Sequence, residues 1–246
     1  MQNSQGSTFY FIGRLSPSTW CKNFNPGELH FGDGYVLDVF QELVSIWVPG
    51  TDQPFEKVRN QALEHVDTCV SLFSFLTNKN IDFRITNWIE AKETDSQKNT
   101  IGYFQGKENI PRAPSKKNKD NIVWRKISKD LWKVEDSFFH KAALKDYKNF
   151  KNASGDDAFF YAYRILENIR RAATNGSDEW NKMHKILGTK EAQIKPLTDV
   201  STKVRHGEFN CGILLEARQR KEEIVNIAID IMKLEFKRSF KGLISH

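Results

Sequence analysis

The strongest constraint on this chain is a helical pattern of apolar residues over residues 156–240. Apolar side chains recur there at spacings of three and four, which places them on one face of an α-helix, and the positions between them are largely polar or charged. In the first of these helices the apolar face consists of Ala158, Ala162, Ile165, Ile169 and Ala173. The pattern predicts an all-α domain over this stretch.

The ends of these helices are predicted from glycine and asparagine. Asn175-Gly176 ends the first helix and Gly188 ends a short second one, because these residues adopt the left-handed backbone conformation that closes a helix. A third helix is predicted over residues 189–204, in which Pro196 either kinks the helix or restarts it. The last and longest helix begins at about Cys211. The stretch is therefore expected to hold two long helices with shorter ones between them.

A short polar element, Val204-Arg205-His206-Gly207-Glu208, separates the third helix from the last. Two long helices that bracket shorter ones, with an Arg and a His at the entry to the last long helix, resemble the HEPN family of small helical bundles over residues 156–240. The resemblance implies a homodimer and, as in many members of that family, a metal-independent ribonuclease. It implies that Arg205 holds the phosphate and that His206 is a general acid or base at the ribose 2′-OH or the leaving oxygen.

The spacing of the Arg and the His differs from the family motif. The family places the His four to six residues after the Arg, whereas Arg205 and His206 are adjacent. Arg59 and His65 match the family spacing but lie within an uninterrupted apolar stripe. On a helix, residues six apart are separated by about 120°, at about 100° per residue, so these two side chains diverge. We interpret Arg59 and His65 as parts of a core helix.

Positive charge is concentrated in the middle of the chain. Residues 105–151 carry 13 Lys and Arg against 6 Asp and Glu, a net charge of +7 in a chain whose total is +6. Such a segment suits a phosphate backbone, and it is equally well explained as a solvated loop. Pro111 and Pro114 favour a basic linker or loop. The basic residues predicted to contact nucleic acid are Lys116, Lys117, Lys119, Arg170, Arg171 and Lys203.

The first third of the chain has the periodicity of strands. Strand-like segments are predicted over residues 7–13, 35–40, 43–48 and 81–86. An amphipathic helix is predicted over residues 54–76, and Phe31-Gly32-Asp33-Gly34 is predicted to be a turn between strands. Another amphipathic helix, over residues 128–150, leads into the C-terminal stretch.

The whole pattern predicts the α+β class. A mixed sheet-and-helix domain is expected over residues 1–104, a basic linker or loop over residues 105–127 and an all-α domain over residues 128–246, with the HEPN-like core at 156–240.

The sequence shows no membrane or secretion pattern. No segment approaches the roughly 18 apolar residues of a membrane span, and the N-terminus lacks the basic start and apolar run of a signal peptide. Cys21, Cys69 and Cys211 show no paired spacing, which favours reduced thiols. We therefore expect a cytoplasmic protein with no metal and no cofactor.

Two functions remain open at this point. The first is an RNA-binding protein of HEPN type, which the resemblance makes a candidate endoribonuclease of a defence or toxin system. The second is a non-catalytic module for dimerisation or for docking a partner protein. The basic middle segment favours the first function, and the short Arg-His spacing favours the second.

If the basic segment contacts phosphates, the affinity for single-stranded RNA should fall steeply as salt rises. Replacing Lys116, Lys117 and Lys119 with Gln should flatten this dependence, because each phosphate contact contributes about 0.7 to the slope of log K against log salt for single strands. Fluorescence anisotropy with an unstructured RNA at several salt concentrations measures the slope. No binding at low salt, or a slope that the three substitutions leave unchanged, contradicts the electrostatic interpretation.

Overall fold

The structure is a computed structural model that describes residues 7–17, 27–92 and 119–240. The sheet and its helix come first in these ranges: β1 (Ser7–Ser16), β2 (Gly27–His30), β3 (Val36–Phe40), β4 (Leu43–Thr51), α1 (Phe55–Thr77) and β5 (Asp82–Lys92). The helices that follow are α2 (Lys119–Glu135), α3 (Phe138–Asn152), α4 (Asp157–Ala173), α5 (Trp180–Leu187), α6 (Glu191–Arg205), α7 (Gly212–Gln219) and α8 (Lys221–Ser239). The predicted α+β class is confirmed.

The strands form one antiparallel sheet in the order β2-β3-β4-β1-β5. Between its central strands, Phe9 pairs with Val48 and Phe11 with Ile46, and all four side chains are buried. The ring of Phe55, the first residue of α1, lies 5.8 Å from that of Phe9 and 6.1 Å from that of Phe11, measured between centroids. Alternate residues of the sheet are thus buried on the face that α1 covers.

The turn predicted before β3 is confirmed. The Phe31 N–H donates to the Tyr35 carbonyl oxygen at 2.9 Å, and the Gly34 N–H donates to the Phe31 carbonyl oxygen at 3.1 Å. This turn joins β3 to β2, a strand that was not predicted. Since β2 is four residues long and Leu29 is its one large apolar residue, its sequence gives only a weak strand pattern.

The described residues fall into two compact units. The first comprises those within Met1–Asp67 and Ile81–Ser128, and the second those within Thr68–Asn80 and Lys129–His246. In the second unit, the Phe75 ring of α1 lies 5.4 Å from Tyr147 and 5.1 Å from Phe236. The second unit thus includes residues 68–80, which the prediction placed in the N-terminal domain. Periodicity shows which face of α1 is apolar but not which residues each end of it contacts.

The central helix of the second unit is α4, which packs against α3, α5, α6 and α8. The five apolar residues that predicted this helix are all buried. The Ser201 hydroxyl of α6 donates a hydrogen bond of 3.0 Å to the carbonyl oxygen of Phe159, and both residues are buried. This contact fixes the C-terminal half of α6 against α4.

The helix ends were predicted correctly where glycine or asparagine marks them. Asn175 and Gly176 follow α4 with φ angles of 55° and 89°, and the Gly176 N–H donates to the Arg171 carbonyl oxygen at 2.8 Å. Gly188, with a φ of 67°, follows α5. These left-handed residues close their helices as the sequence indicated.

Helix starts and breaks differ from the prediction at three places. Residues 119–127, assigned to the basic linker, are helical, because α2 begins at Lys119. The single helix expected over residues 128–150 is divided between α2 and α3, which meet at Asp136-Ser137. The last helix is divided into α7 and α8 at Arg220. On both sides of each break, apolar residues keep their spacing of three and four. Periodicity alone therefore does not reveal where one helix ends and the next begins.

None of the helices in the described ranges is both long enough and apolar enough to cross a membrane.

A buried carboxylate connects α8 to α3. Glu235 is fully buried, and it accepts hydrogen bonds of 2.7 and 2.8 Å from Arg238 and of 2.6 Å from the Ser239 hydroxyl. His140 Nε2 lies 3.3 Å from Glu235 Oε1. Burial by itself raises the pKa of Glu235, but the hydrogen bonds from His140, Arg238 and Ser239 together hold that pKa below its ordinary value.

We expect Glu235→Gln to lower the free energy of unfolding by about 2 kcal/mol at neutral pH, the size typical of hydrogen bonds to a charged group. The pKa of Glu235 is lower in the folded chain than in the unfolded chain. Its contribution is therefore complete above the unfolded-state pKa and is lost as the pH falls below 4.5 towards the folded-state pKa. Urea unfolding at a series of pH values measures this.

The matched control is Glu223→Gln. Glu223 pairs with Arg220 at the same three-residue spacing but lies at the surface, so its loss should change stability little. Equal effects of the two substitutions, or a Glu235→Gln effect that persists at acid pH, would contradict the role assigned to the buried carboxylate.

Candidate functional site

The Arg-His element lies where α6 ends. Arg205 is the last residue of α6 and His206 is its C-cap. Both side chains are exposed. The Arg205 guanidinium lies over the ring of Tyr163 in α4, with Cζ 4.5 Å from the ring centroid. The structure therefore brings Arg205 to the surface of α4, while His206 extends from the turn beside it.

The turn after His206 has the geometry of a Schellman motif. Gly207 has a left-handed φ of 72°. Its N–H donates to the Val204 carbonyl oxygen at 3.1 Å, and the Glu208 N–H donates to the Lys203 carbonyl oxygen at 3.0 Å. These two bonds satisfy the last carbonyl groups of α6. A 2.7 Å ion pair between Lys203 Nζ and Glu208 Oε2 spans the same turn, so the backbone that carries Arg205 and His206 is well fixed.

A second support comes from α7. Arg218 donates hydrogen bonds of 3.0 and 2.6 Å to the two carboxylate oxygens of Asp156, the residue before α4. Its Nη2 also donates to the Phe209 carbonyl oxygen at 3.3 Å. The hydrogen bond from Arg218 lowers the pKa of Asp156. Arg218 thus connects the loop after His206 to the start of α4.

Arg205 and His206 are free of polar partners in the described part of the chain. No carboxylate pairs with Arg205, and the His206 side chain makes no hydrogen bond there. No hydrogen bond joins the two side chains to each other either. An exposed guanidinium with no acidic partner is available to bind an anion from solution.

The other basic residues predicted in this unit are engaged in ion pairs. Arg170 Nη2 and Arg171 Nε lie 2.6 and 2.8 Å from the same oxygen of Asp178, and Lys203 pairs with Glu208. Arg170 is only 6% exposed, so little of its side chain is accessible to a nucleic acid. Arg171 and Lys203 are partly exposed, but each has its charge balanced by an acid.

The basic residues predicted in the middle segment are not placed by the structure. Lys116 and Lys117 lie outside the described residues. Lys119 is the first residue of α2, but its side chain is not among those described. Their contact with nucleic acid stays a prediction.

The alternative Arg-His pair has partners within its own unit. Arg59 Nη1 lies 3.6 Å from Glu56 Oε2 on the same helix. The His65 ring stacks on Phe31 with 4.3 Å between centroids, and its Nε2 lies 2.7 Å from Asp33 Oδ2. These contacts join α1 to the turn between β2 and β3, as expected for a structural helix.

A cleft that the sequence did not reveal lies between α4, α5 and α6. Its volume is about 390 Å³. Its lining combines two aromatic rings, one histidine, two carboxylates and amide, hydroxyl and amine groups: Tyr163, Trp180, Asn181, His184, Glu191, Ile194, Lys195, Thr198 and Asp199. Tyr163 lines this cleft, and the Arg205 guanidinium lies over its ring. The cleft is therefore adjacent to the Arg-His turn. Sequence spacing shows the apolar face of each helix but not which polar faces meet.

His184 brings a hydrogen-bonding atom without a partner to the cleft wall. Its Nδ1 lies 2.8 Å from the Thr189 hydroxyl, whereas its Nε2 is buried and unpaired. Burial and the nearby Glu167 carboxylate raise the pKa of Tyr163, so its hydroxyl stays a donor. Across the described ranges, no cluster of three or more His, Cys, Asp or Glu side chains is arranged to hold a metal ion.

The fold and the site define an α-helical domain with an exposed Arg-His turn beside a polar cleft. The chain belongs to the family described as the C-terminal domain of DUF8168, a domain of unknown function, whose family model matches residues 107–237. This match covers just over half of the 246 residues and includes both the turn and the cleft. No curated protein matches the chain, and no solved structure does.

The left-handed conformation of Gly207 in the Schellman turn predicts that an added methyl group there lowers the stability of the protein. Because of its left-handed φ, Gly207→Ala should lower the free energy of unfolding by about 1 kcal/mol. Gly212→Ala is the matched control, since Gly212 begins α7 and an added Cβ there meets no atom within 4 Å. Alanine is favoured in a helix, so the control should lose no stability. Urea unfolding of both variants tests this, and equal losses would contradict it.

Proposed function

We propose that this chain is an RNA-binding protein of HEPN type whose helical unit cleaves RNA without a metal ion. In this proposal Arg205 binds the scissile phosphate and His206 exchanges a proton with the reacting oxygens. The observation that carries the proposal is that both side chains are exposed and without polar partners on a turn that is itself fixed by several hydrogen bonds. Among the basic residues predicted for this unit, Arg205 alone lacks an acidic partner in the described structure.

The position of Arg205 suits phosphate binding. A guanidinium that lies over an aromatic ring keeps its N–H donors at its edge, where they can bind two phosphate oxygens together. The cation–π contact with Tyr163 also limits the orientations of the side chain, which lowers the entropy lost when an anion binds. Arg205 is thus both accessible and oriented before a ligand arrives.

The role of His206 follows from the chemistry of RNA cleavage. The 2′-oxygen attacks phosphorus as its proton passes to a base, and the 5′-oxygen leaves as it gains a proton from an acid. Imidazole performs both transfers near neutral pH. One His206 supplies one of these roles at a time, so we include a homodimer through the helical unit, in which a second copy supplies the other role. The place in a defence or toxin system, and in the cytoplasm, follows from the resemblance and the sequence pattern.

A docking module is the second candidate, and one observation favours it. Phe209, Ile213 and Leu215 are 50%, 47% and 51% exposed, and they directly follow the Arg-His turn. Large apolar side chains at a surface are typical of protein–protein contacts when they lie close together. In that function the turn is a structural feature of a binding surface and no reaction takes place there.

The two functions are separated by His206→Ala. If His206 is a general acid or base, this substitution should lower the rate of RNA cleavage by about 10²- to 10⁴-fold and leave RNA affinity almost unchanged. Arg205→Ala should weaken both cleavage and binding, because it removes the phosphate contact. Cleavage of a mixed RNA pool in the presence of a chelator measures the rate, and fluorescence anisotropy measures the affinity.

The control for this experiment is His30→Ala, which removes an exposed histidine of the first unit that lies 3.5 Å from Glu28. It should leave cleavage unchanged. If the wild-type protein leaves RNA intact in every buffer and still forms dimers or binds a partner protein, the enzyme proposal fails and the docking module stands.

A further inference from the structure

The cleft between α4, α5 and α6 has two aromatic rings that are already oriented. The Arg170 guanidinium lies over the Trp180 indole, with Cζ 4.3 Å from the ring centroid. The Arg205 guanidinium lies over the Tyr163 ring in the same way, at 4.5 Å. Trp180 is only half-buried, so part of its ring is open to a ligand. Stacking of a base on such an aromatic platform favours binding and tolerates any base. The rings therefore favour a planar aromatic ligand.

The charges that line the cleft disfavour an anion inside it. Lys195 pairs with Asp199, with 3.3 Å between Nζ and Oδ2. Glu191 has no ion pair or hydrogen bond to its side chain in the described part of the chain. Among the lining side chains, this leaves the negative charge of Glu191 unbalanced, which disfavours a phosphate beside it. A cationic ligand would meet the guanidinium groups that already lie on both rings.

The unpaired carboxylate of Glu191 favours a neutral nucleobase that can donate two hydrogen bonds to it. An ionised carboxylate is an acceptor only, and its two oxygens can receive two parallel hydrogen bonds. Guanine presents two adjacent donors, N1–H and the N2 amino group, on one edge. Adenine, cytosine and uracil do not present two adjacent donors on that edge. The chemistry of the lining therefore matches guanine.

We propose that this cleft binds a guanine base, stacked on Trp180 and held by the Glu191 carboxylate. Its volume of about 390 Å³ is within the range of small-ligand sites and has room for a base. The phosphate can then lie on Arg205, at the Tyr163 side of the cleft. The inference rests on the proposed function for the source of the base, an RNA strand, while a free guanine nucleotide offers the same chemistry.

The test compares an oligouridine with the same oligouridine carrying one central guanosine, by fluorescence anisotropy. The wild-type protein should bind the guanosine-containing strand about 5- to 150-fold more tightly, which corresponds to the about 1–3 kcal/mol of discrimination that one bidentate contact gives. Glu191→Gln should remove this preference, so that the two strands bind with equal affinity. Glu191 is exposed, so the variant should fold.

The matched control is Glu222→Gln. Glu222 is an exposed acid in the first turn of α8, as Glu191 is in the first turn of α6. The control therefore makes the same change of charge at a helix start and should keep the guanosine preference. Equal effects of the two substitutions would overturn the inference, because they would show a general effect of charge.

A second arm titrates GMP and AMP alone by calorimetry, and it separates this inference from the proposed function. A preference for GMP that is lost in Glu191→Gln, without any RNA binding, would support the cleft for a free nucleotide and overturn the proposed function. RNA binding that depends on Arg205 but shows no preference for guanosine would overturn the cleft inference and leave the proposed function standing. If neither RNA nor GMP binds, both fail.

Discussion

Burial of the apolar face of α4 is the interaction on which the helical unit depends. Four other helices pack against this one helix, so their positions are set by how its side chains fill the space between them. The polar residues of α4 then lie at fixed places around that core. Tyr163 contacts the Arg205 guanidinium and lines the cleft, and Arg170 holds the Trp180 ring. The candidate site is therefore positioned by polar residues of α4 that border its buried apolar face.

Ion pairs decide which basic residues of this unit are available to a ligand. Arg170, Arg171 and Lys203 have similar charges to Arg205, but each one has an acid within 3 Å. The charge of a segment therefore overstates the number of free cations on its surface. One guanidinium without an acidic partner is a better indication of an anion site than several basic residues that are already neutralised.

Much of the fold could be predicted because apolar periodicity and left-handed residues act locally. The buried face of α4 and the ends at Asn175 and Gly188 needed no knowledge of distant residues. The breaks at Ser137 and Arg220 and the burial of Arg170 depend on contacts between helices, which spacing does not encode. The cleft was missed for the same reason, since its lining comes from three helices.

The two ends of α6 carry charges that suit the helix macrodipole. Glu191 lies in the first turn, near the partial positive charge of the free N–H groups, and Arg205 lies in the last turn, near the partial negative charge of the carbonyl groups. Each such placement stabilises a helix by about 0.3–1 kcal/mol. The two side chains proposed to contact a ligand are therefore the same two that stabilise the ends of α6. In the proposed complexes, a ligand that pairs with either charge would compete with that stabilisation.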